Sequence, residues 1–189
     1  MMQAKAPWTR TILLSAALSL FTAVPAAAET TLAPPTPLTT IDYSGFRELT
    51  GSVEALRAGR LLTLSQFMAQ VDTGNALLLD ARSPSAFARG HIAGAVNLPF
   101  SDFTAEKLAN VIGADRDRPI LIYCNNNFTD NVAPVALKSA PLALNIPTFI
   151  NLVGYGYGNV WELGDAVSMD DPAVRWVSQM ASRLSAVVT

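Results

Sequence analysis

The sequence predicts an α/β fold with a mostly parallel sheet and helices on both faces. Three observations carry this. Strand-like and helix-like segments alternate from residue 61 onward. "ALLLD" (76–80) and "PILIYC" (119–124) are continuous apolar runs, as strands buried on both faces require. Between them lie helix signals with Pro near the start and Gly at the stop.

The first 28 residues read as an address. Lys5 and Arg10 form a positive start, "TILLSAALSLFTAV" is apolar but too short to span a bilayer, and "PAAAE" offers an Ala-x-Ala cleavage site at Ala26 to Ala28. A mature chain beginning near Glu29, periplasmic or secreted, is expected. It would hold 161 residues, enough for one domain with its own core, with eleven basic and fifteen acidic residues, net charge −4. That balance, with no basic stripe, argues against a nucleic-acid partner. No later stretch is long enough to span, so no stable membrane insertion is expected after processing.

The elements follow in order. Residues 29–40, "ETTLAPPTPLTT", are a Pro- and Thr-rich leader. From Ile41 to Ala58, Phe46, Leu49, Val53 and Leu56 recur at spacings of three and four, which predicts a helical extension. "RLLTL" predicts a short strand, and Ser65 opens a helix, "SQFMAQV", with Phe67, Met68 and Val71 on one face. "SPSAFARG" predicts a short helix with Pro84 in its first turn and Gly90 as its stop. "AVNLP" is strand-like, and "SDFTAEKLANVI" reads as a helix with Ser101 as candidate cap. After the strand "PILIYC", "VAPVALKSAPLAL" predicts a helix in which Lys138 is a surface residue. "PTFINL" predicts another strand and "YGYGNVWEL" a short helix. "DDPAVRWVSQMASRLSAV" reads as a C-terminal helix capped by Asp170 or Asp171, with Val174, Val177, Ala181, Leu184 and Val188 as its docking face. The expected organisation is a signal peptide over 1–28, leader and helical extension over 29–58, main domain over 59–166 and C-terminal helix over 167–189.

Cys124 is the one cysteine, so no intramolecular disulfide, CxxC motif or cysteine-rich metal site is open to the chain. With His91 the one histidine, a multi-histidine metal site is excluded too, and no cofactor is required. In sheets of this kind reactive groups sit at the carboxyl ends of strands, where Cys124 stands. A helix beginning near Asp130 or Asn131 would turn the backbone N–H groups of the loop inward as a cradle for the sulfur. Such a cradle favours thiolate over thiol, so Cys124 is expected to ionise near neutral pH. Asn127 is a candidate for positive φ, where a loop often needs glycine. The other reading of the loop alone is a polar turn after a buried strand end.

"LLLDARSPSAFARGHIAGAVNLP" (77–99) closely resembles the signature of the rhodanese-like family: an apolar strand, Asp-x-Arg, an aromatic, then Gly-His-Ile-x-Gly-Ala-x-Asn-Leu-Pro. "ILIYC" with its short loop resembles the family's cysteine strand, and "FINLVGYGYGNVWELG" its closing strand, glycine turn and tryptophan helix. The resemblance spans Leu61 to Gly164. It implies a three-layer fold around a five-stranded parallel sheet, with sulfur carried as a persulfide on Cys124 and passed from a small sulfur donor to a thiol or other acceptor, a protein thiol among them. The loop departs from the pattern. The position often held by Arg is Thr129, the usual glycine is Asn127, and the loop's one charge is Asp130. A carboxylate in place of a cation disfavours a dianion such as thiosulfate, so thiosulfate use is expected to be poor.

Asn125, Asn126, Asn127, Phe128, Thr129 and Asp130 are therefore the expected loop and substrate-binding residues, with Cys124 the nucleophile. Tyr155 and Tyr157 are candidate pocket residues. Asp80 and Arg82 read as an ion pair fixing the loops, and His91 as a hydrogen-bonded structural residue. The rival reading is a noncatalytic binding module for a ligand or partner protein. A phosphatase is weaker, because Cys-x5-Arg would need Arg where Asp130 stands.

Overall fold

The protein is described from a computed structural model over residues 40–178. The expected signal peptide, the leader through residue 39 and the C-terminal stretch 179–189 lie outside the described residues. Five strands, β1 (Leu61–Leu62), β2 (Leu77–Asp80), β4 (Val96–Asn97), β5 (Ile120–Tyr123) and β6 (Val160–Leu163), form a parallel sheet in the order β1-β6-β5-β2-β4. The sheet has the parallel, five-stranded form that the sequence implied.

The pleat divides the core in two. Leu77, Leu79, Ile120, Ile122 and Val160 face one side, where they meet Val53 of helix α1 (Tyr43–Arg57), Leu108 and Ile112 of α4 (Ala105–Ile112), and Phe149 and Ile150 of α5 (Asn145–Gly154). Leu78, Leu121, Tyr123 and Leu163 face the other, against Phe67 and Met68 of α2 (Leu64–Asp72). All eight residues of β2 and β5 are buried, which is why these strands read as unbroken apolar runs. By the same alternation Cys124, two residues past Ile122, belongs to the α1 and α5 side.

Caps explain several boundaries. Asp42 accepts from Gly45 N at 2.8 Å to start α1, and Thr63 with Gln66 forms a capping box on α2. Ser83 caps α3 (Pro84–Arg89), with Pro84 at its first position. Thr104 caps α4, not Ser101, which lies in a 3-10 turn over Phe100–Asp102.

Four further expectations are corrected. "PTFINL" is not a strand but part of α5, because Phe149, Ile150, Leu152 and Val153 recur at helical spacing and pack into the core on the sheet. "YGYGNVWEL" is not a helix: Gly156 takes φ +89 in a turn, and the chain then enters β6, where Trp161 and Leu163 alternate with Val160 and Glu162. "VAPVALKSAPLAL" forms no helix. Pro134 follows a cis peptide, Asn131 has φ 47, and the one regular piece is a 3-10 turn at Ala140–Leu142. The C-terminal segment gives a 3-10 turn over Pro172–Val174, capped by Asp171, and then β7 (Trp176–Val177), antiparallel to β3 (His91–Ile92). Val174 is buried in the core beside α2, while Val177 is exposed in β7, so the two do not share a helical face. Gly90 lets β7 close, since a Cβ there would come within 2.5 Å of the Trp176 indole.

Candidate functional site: a buried thiol under helices α1 and α5

The site begins with the end of β5. Cys124 is 1% exposed and lies on a pocket of about 610 Å3 whose walls include Val53, Arg57, Asn126, Asn145, Phe149 and Glu162. After Cys124 the chain makes one 3-10 turn, Asn125–Asn127, but the next helix is α5, which starts at Asn145 instead of near Asp130. The cradle is accordingly built from two places. Backbone N–H groups of Asn126, from the loop, and of Asn145 and Leu144, from the start of α5, are directed at the sulfur.

Those donors do not prevail. Burial pushes the Cys124 thiol above its ordinary value. The N–H groups of Asn126, Asn145 and Leu144 act in the opposite direction, and the charge of Glu162 adds to the rise. The expected thiolate near neutral pH is thus corrected: Cys124 rests as a thiol. The reason is that the pocket replaces water around the sulfur with Val53, Phe149, Ile150 and a buried carboxylate, while three N–H dipoles offset only part of that loss. Alkylation of the native protein should therefore rise with pH with a midpoint above that of free cysteine. Glu162→Gln should lower that midpoint, while Asp130→Asn should leave it in place. A native midpoint below that of free cysteine would refute this account of the sulfur.

Asn127 is the hub of the loop, and not through backbone strain, since its φ is not positive. Its Oδ1 accepts from Cys124 N at 2.9 Å and from Asn145 Nδ2 at 3.0 Å, and its Nδ2 donates to Leu163 O at 2.7 Å. Asn145 Nδ2 also donates to Glu162 Oε1 at 3.1 Å, and Glu162 accepts from Arg57 Nε and Nη2 at 2.6 and 2.7 Å. One continuous hydrogen-bonded chain thus runs from α1 through β6 and α5 to the cysteine. Asn125 and Asn126 hold the irregular segment in place by donating to Ala136 O at 2.9 Å and Lys138 O at 2.7 Å. Lys138 thus meets the site through its backbone.

The remaining expected residues are spread more widely. Phe128 is buried on the opposite core, edge-on to Tyr123 and Trp176. Thr129 donates both N–H and hydroxyl to Val167 O, and Asp130 accepts from Ser168 Oγ at 3.0 Å and Met169 N at 2.9 Å. None of the three lines the thiol pocket, so Asp130 is not the charge that the sulfur meets. Tyr155 and Tyr157 precede β6 and stand at the amino end of the sheet, away from Cys124. Tyr155 reaches Phe103 O, and Tyr157 is buried with its ring under Arg116. Neither lines the thiol pocket; Tyr155 instead borders a smaller pocket with Phe46, Leu49 and Asn151.

Asp80 and Arg82 form a buried ion pair, with Arg82 Nε and Nη2 on the Asp80 carboxylate and Nη2 also on Gly90 O at 2.8 Å. His91 Nδ1 bonds Phe87 O at 2.9 Å and its ring stacks on Phe87. Arg57, Asn145 and Glu162 escaped the sequence reading. The one signal for them was Glu162 itself, a carboxylate in "VWEL", which a buried strand tolerates only with a partner.

A parallel α/β sheet with its one cysteine past a central strand, at a pocket and beneath inward N–H groups, defines a cysteine-loop domain. Residues 63–163, more than half of the chain, match the Rhodanese-like domain, and the chain belongs to that family. It is 33% identical over 73 residues to the thiosulfate sulfurtransferase GlpE of Shewanella oneidensis, covering 38% of this chain and 67% of that protein. It is 38% identical over 63 residues to the uncharacterized protein YqhL of Bacillus subtilis, 33% of this chain and 47% of that one. An HTH-type transcriptional regulator of Mycobacterium tuberculosis is 32% identical over 79 residues, 42% of this chain and 33% of the regulator. The chain thus spans a third and about half of the length of the latter two relatives. Among solved structures, a thiosulfate sulfurtransferase from Pseudomonas aeruginosa is 18% identical with a TM-score of 0.43, covering 66% of this chain and 21% of that one. A rhodanese with anions from E. coli is 21% identical with a TM-score of 0.36, covering 55% and 98%.

Proposed function

We propose that this protein is an exported sulfur carrier in which Cys124 takes up sulfur as a persulfide and hands it to an acceptor thiol, with poor use of thiosulfate. The observation that supports it most is the placing of the family's cysteine on a pocket, with the N–H groups of Asn126, Leu144 and Asn145 aimed at the sulfur. A persulfide anion held there would meet those three donors. Asp130 lies outside the pocket and does not set its charge. The pocket's side-chain charges are Glu54, Arg57 and Glu162, and the one cation already serves Glu162. A dianion therefore enters a site with excess negative charge.

The test is transfer to an acceptor thiol from a low-molecular-weight persulfide and, separately, from thiosulfate. Turnover with the persulfide should exceed that with thiosulfate by about tenfold or more, since one pocket charge at an intermediate dielectric amounts to one to a few kcal/mol. Rapid thiosulfate turnover would remove the charge argument. The buried, protonated thiol favours a second reading, a binding module without turnover. That reading predicts ligand binding unaffected by Cys124→Ser.

Export rests on Lys5 and Arg10, the apolar stretch after them and Ala26 to Ala28. Native protein should begin near Glu29 on N-terminal sequencing; a retained Met1 would contradict it.

A further inference from the structure

α1 precedes the residues matched to the family, yet it supplies one wall of the thiol pocket. Thr50, Val53, Glu54 and Arg57 stand at i, i+3, i+4 and i+7, a single helical face, and all four line the pocket with Cys124. Glu54 makes no ion pair or side-chain hydrogen bond among the described residues. Arg57 spends Nε and Nη2 on Glu162, which leaves Nη1 without an acceptor among the described residues. An unpaired carboxylate and free guanidinium N–H groups thus stand one helical turn apart on the wall of a pocket that also holds a thiol. Ala143, Ile146, Phe149 and Ile150 supply apolar lining to the same pocket.

We infer that α1 makes this a site for a zwitterionic sulfur donor, the persulfide of an amino acid or short peptide, with its ammonium on Glu54 and its carboxylate on Arg57. This rests on the sulfur-carrier reading above. Opposite charges on the donor match the two side chains, and the donor's neutral sum avoids the penalty a dianion meets beside Glu54 and Glu162. The volume of about 610 Å3 suits a ligand of that size. In the transfer, Cys124 Sγ attacks the terminal sulfur of R–S–SH. A bond forms between Sγ and that sulfur, the donor's S–S bond breaks, and its electron pair leaves on R–S, which takes the proton that Cys124 gives up. The products are Cys124–S–SH and R–SH. The transferred sulfur remains sulfane sulfur, so no external oxidant or reductant enters.

The experiment follows loading of Cys124 by intact mass with three persulfides generated in situ: those of cysteine, N-acetylcysteine and cysteine methyl ester. Each rate is divided by that with a small free thiol, which removes the donors' own reactivity. Cysteine persulfide should load about tenfold faster than either derivative, the worth of one charge-assisted hydrogen bond. Glu54→Gln should erase the preference over the N-acetyl compound, and Arg57→Gln that over the ester. Arg57 also braces buried Glu162, so if Arg57→Gln fails to fold, the ester comparison on unmodified protein and the Glu54→Gln arm decide. Equal loading by all three, or a preference over the N-acetyl compound that survives Glu54→Gln, overturns the assignment and leaves sulfur carriage standing. Loading by none overturns both.

Discussion

Arg82→Ala should lower the unfolding free energy by about 3–5 kcal/mol, the usual cost of leaving one member of a buried ion pair alone. Asp80 is fully buried at the end of β2 and accepts from Arg82 N and Nε at 2.9 Å, from Arg82 Nη2, and from Tyr123 OH at 2.7 Å. Burial, then the Asp80 charge, pushes Tyr123 well above its ordinary value, so its hydroxyl stays protonated and keeps donating to Asp80 while accepting Ile92 N. Without the guanidinium, that carboxylate keeps two neutral donors and loses its counter-charge. Gly90 O and Pro134 O lose a donor as well, which frees the turn before β3 and the segment after the cysteine loop. Urea unfolding measures the loss. The double variant with Asp80→Ala should be less destabilised than the sum of the single variants, because the stranded charge has gone. A loss below about 1 kcal/mol for Arg82→Ala would mean that the pair is not holding these loops.

Asn127→Ala should cost about 2–4 kcal/mol, two to three hydrogen bonds at about 1–1.5 kcal/mol each, and should slow sulfur loading of Cys124. The amide ties Cys124 N, Asn145 Nδ2 and Leu163 O to one another, and no smaller side chain spans those three elements. Asn127→Gly is the informative companion. If this position served a left-handed backbone, glycine would be neutral or better; because φ is not positive, glycine should be at least as damaging as alanine. Denaturant midpoints of the two variants, with loading followed by mass, separate these outcomes.

Strands β2 and β5 were legible because full burial on two faces leaves an unbroken apolar run, and α3 because Ser83, Pro84 and Gly90 mark both its ends. The exchange of helix and strand after Cys124 has a physical origin. "PTFINL" is short and apolar, and such runs read as strand or helix alike until the face they cover is known. β6 was obscured by Glu162, whose burial depends on Arg57, far away in sequence on α1. Local pattern cannot supply that partner. The "VAPVALKSAPLAL" segment has helical composition, but its side of the accounting is tertiary: Asn125, Asn126 and Asn131 hold its backbone in place of helical hydrogen bonds. The cysteine was legible as a strand-end thiol. Its electrostatics were not, because the donors come from α5 and the opposing charge from β6.

The most direct measurement of the central claim is the intact mass of the native protein and of Cys124→Ser after exposure to a low-molecular-weight persulfide, followed by addition of an acceptor thiol. Sulfur carriage predicts a gain of one sulfur atom in the native protein, located on Cys124 by peptide mapping, absent from Cys124→Ser and lost again to the acceptor. A native protein that gains no sulfur, or gains it equally in Cys124→Ser, would contradict it.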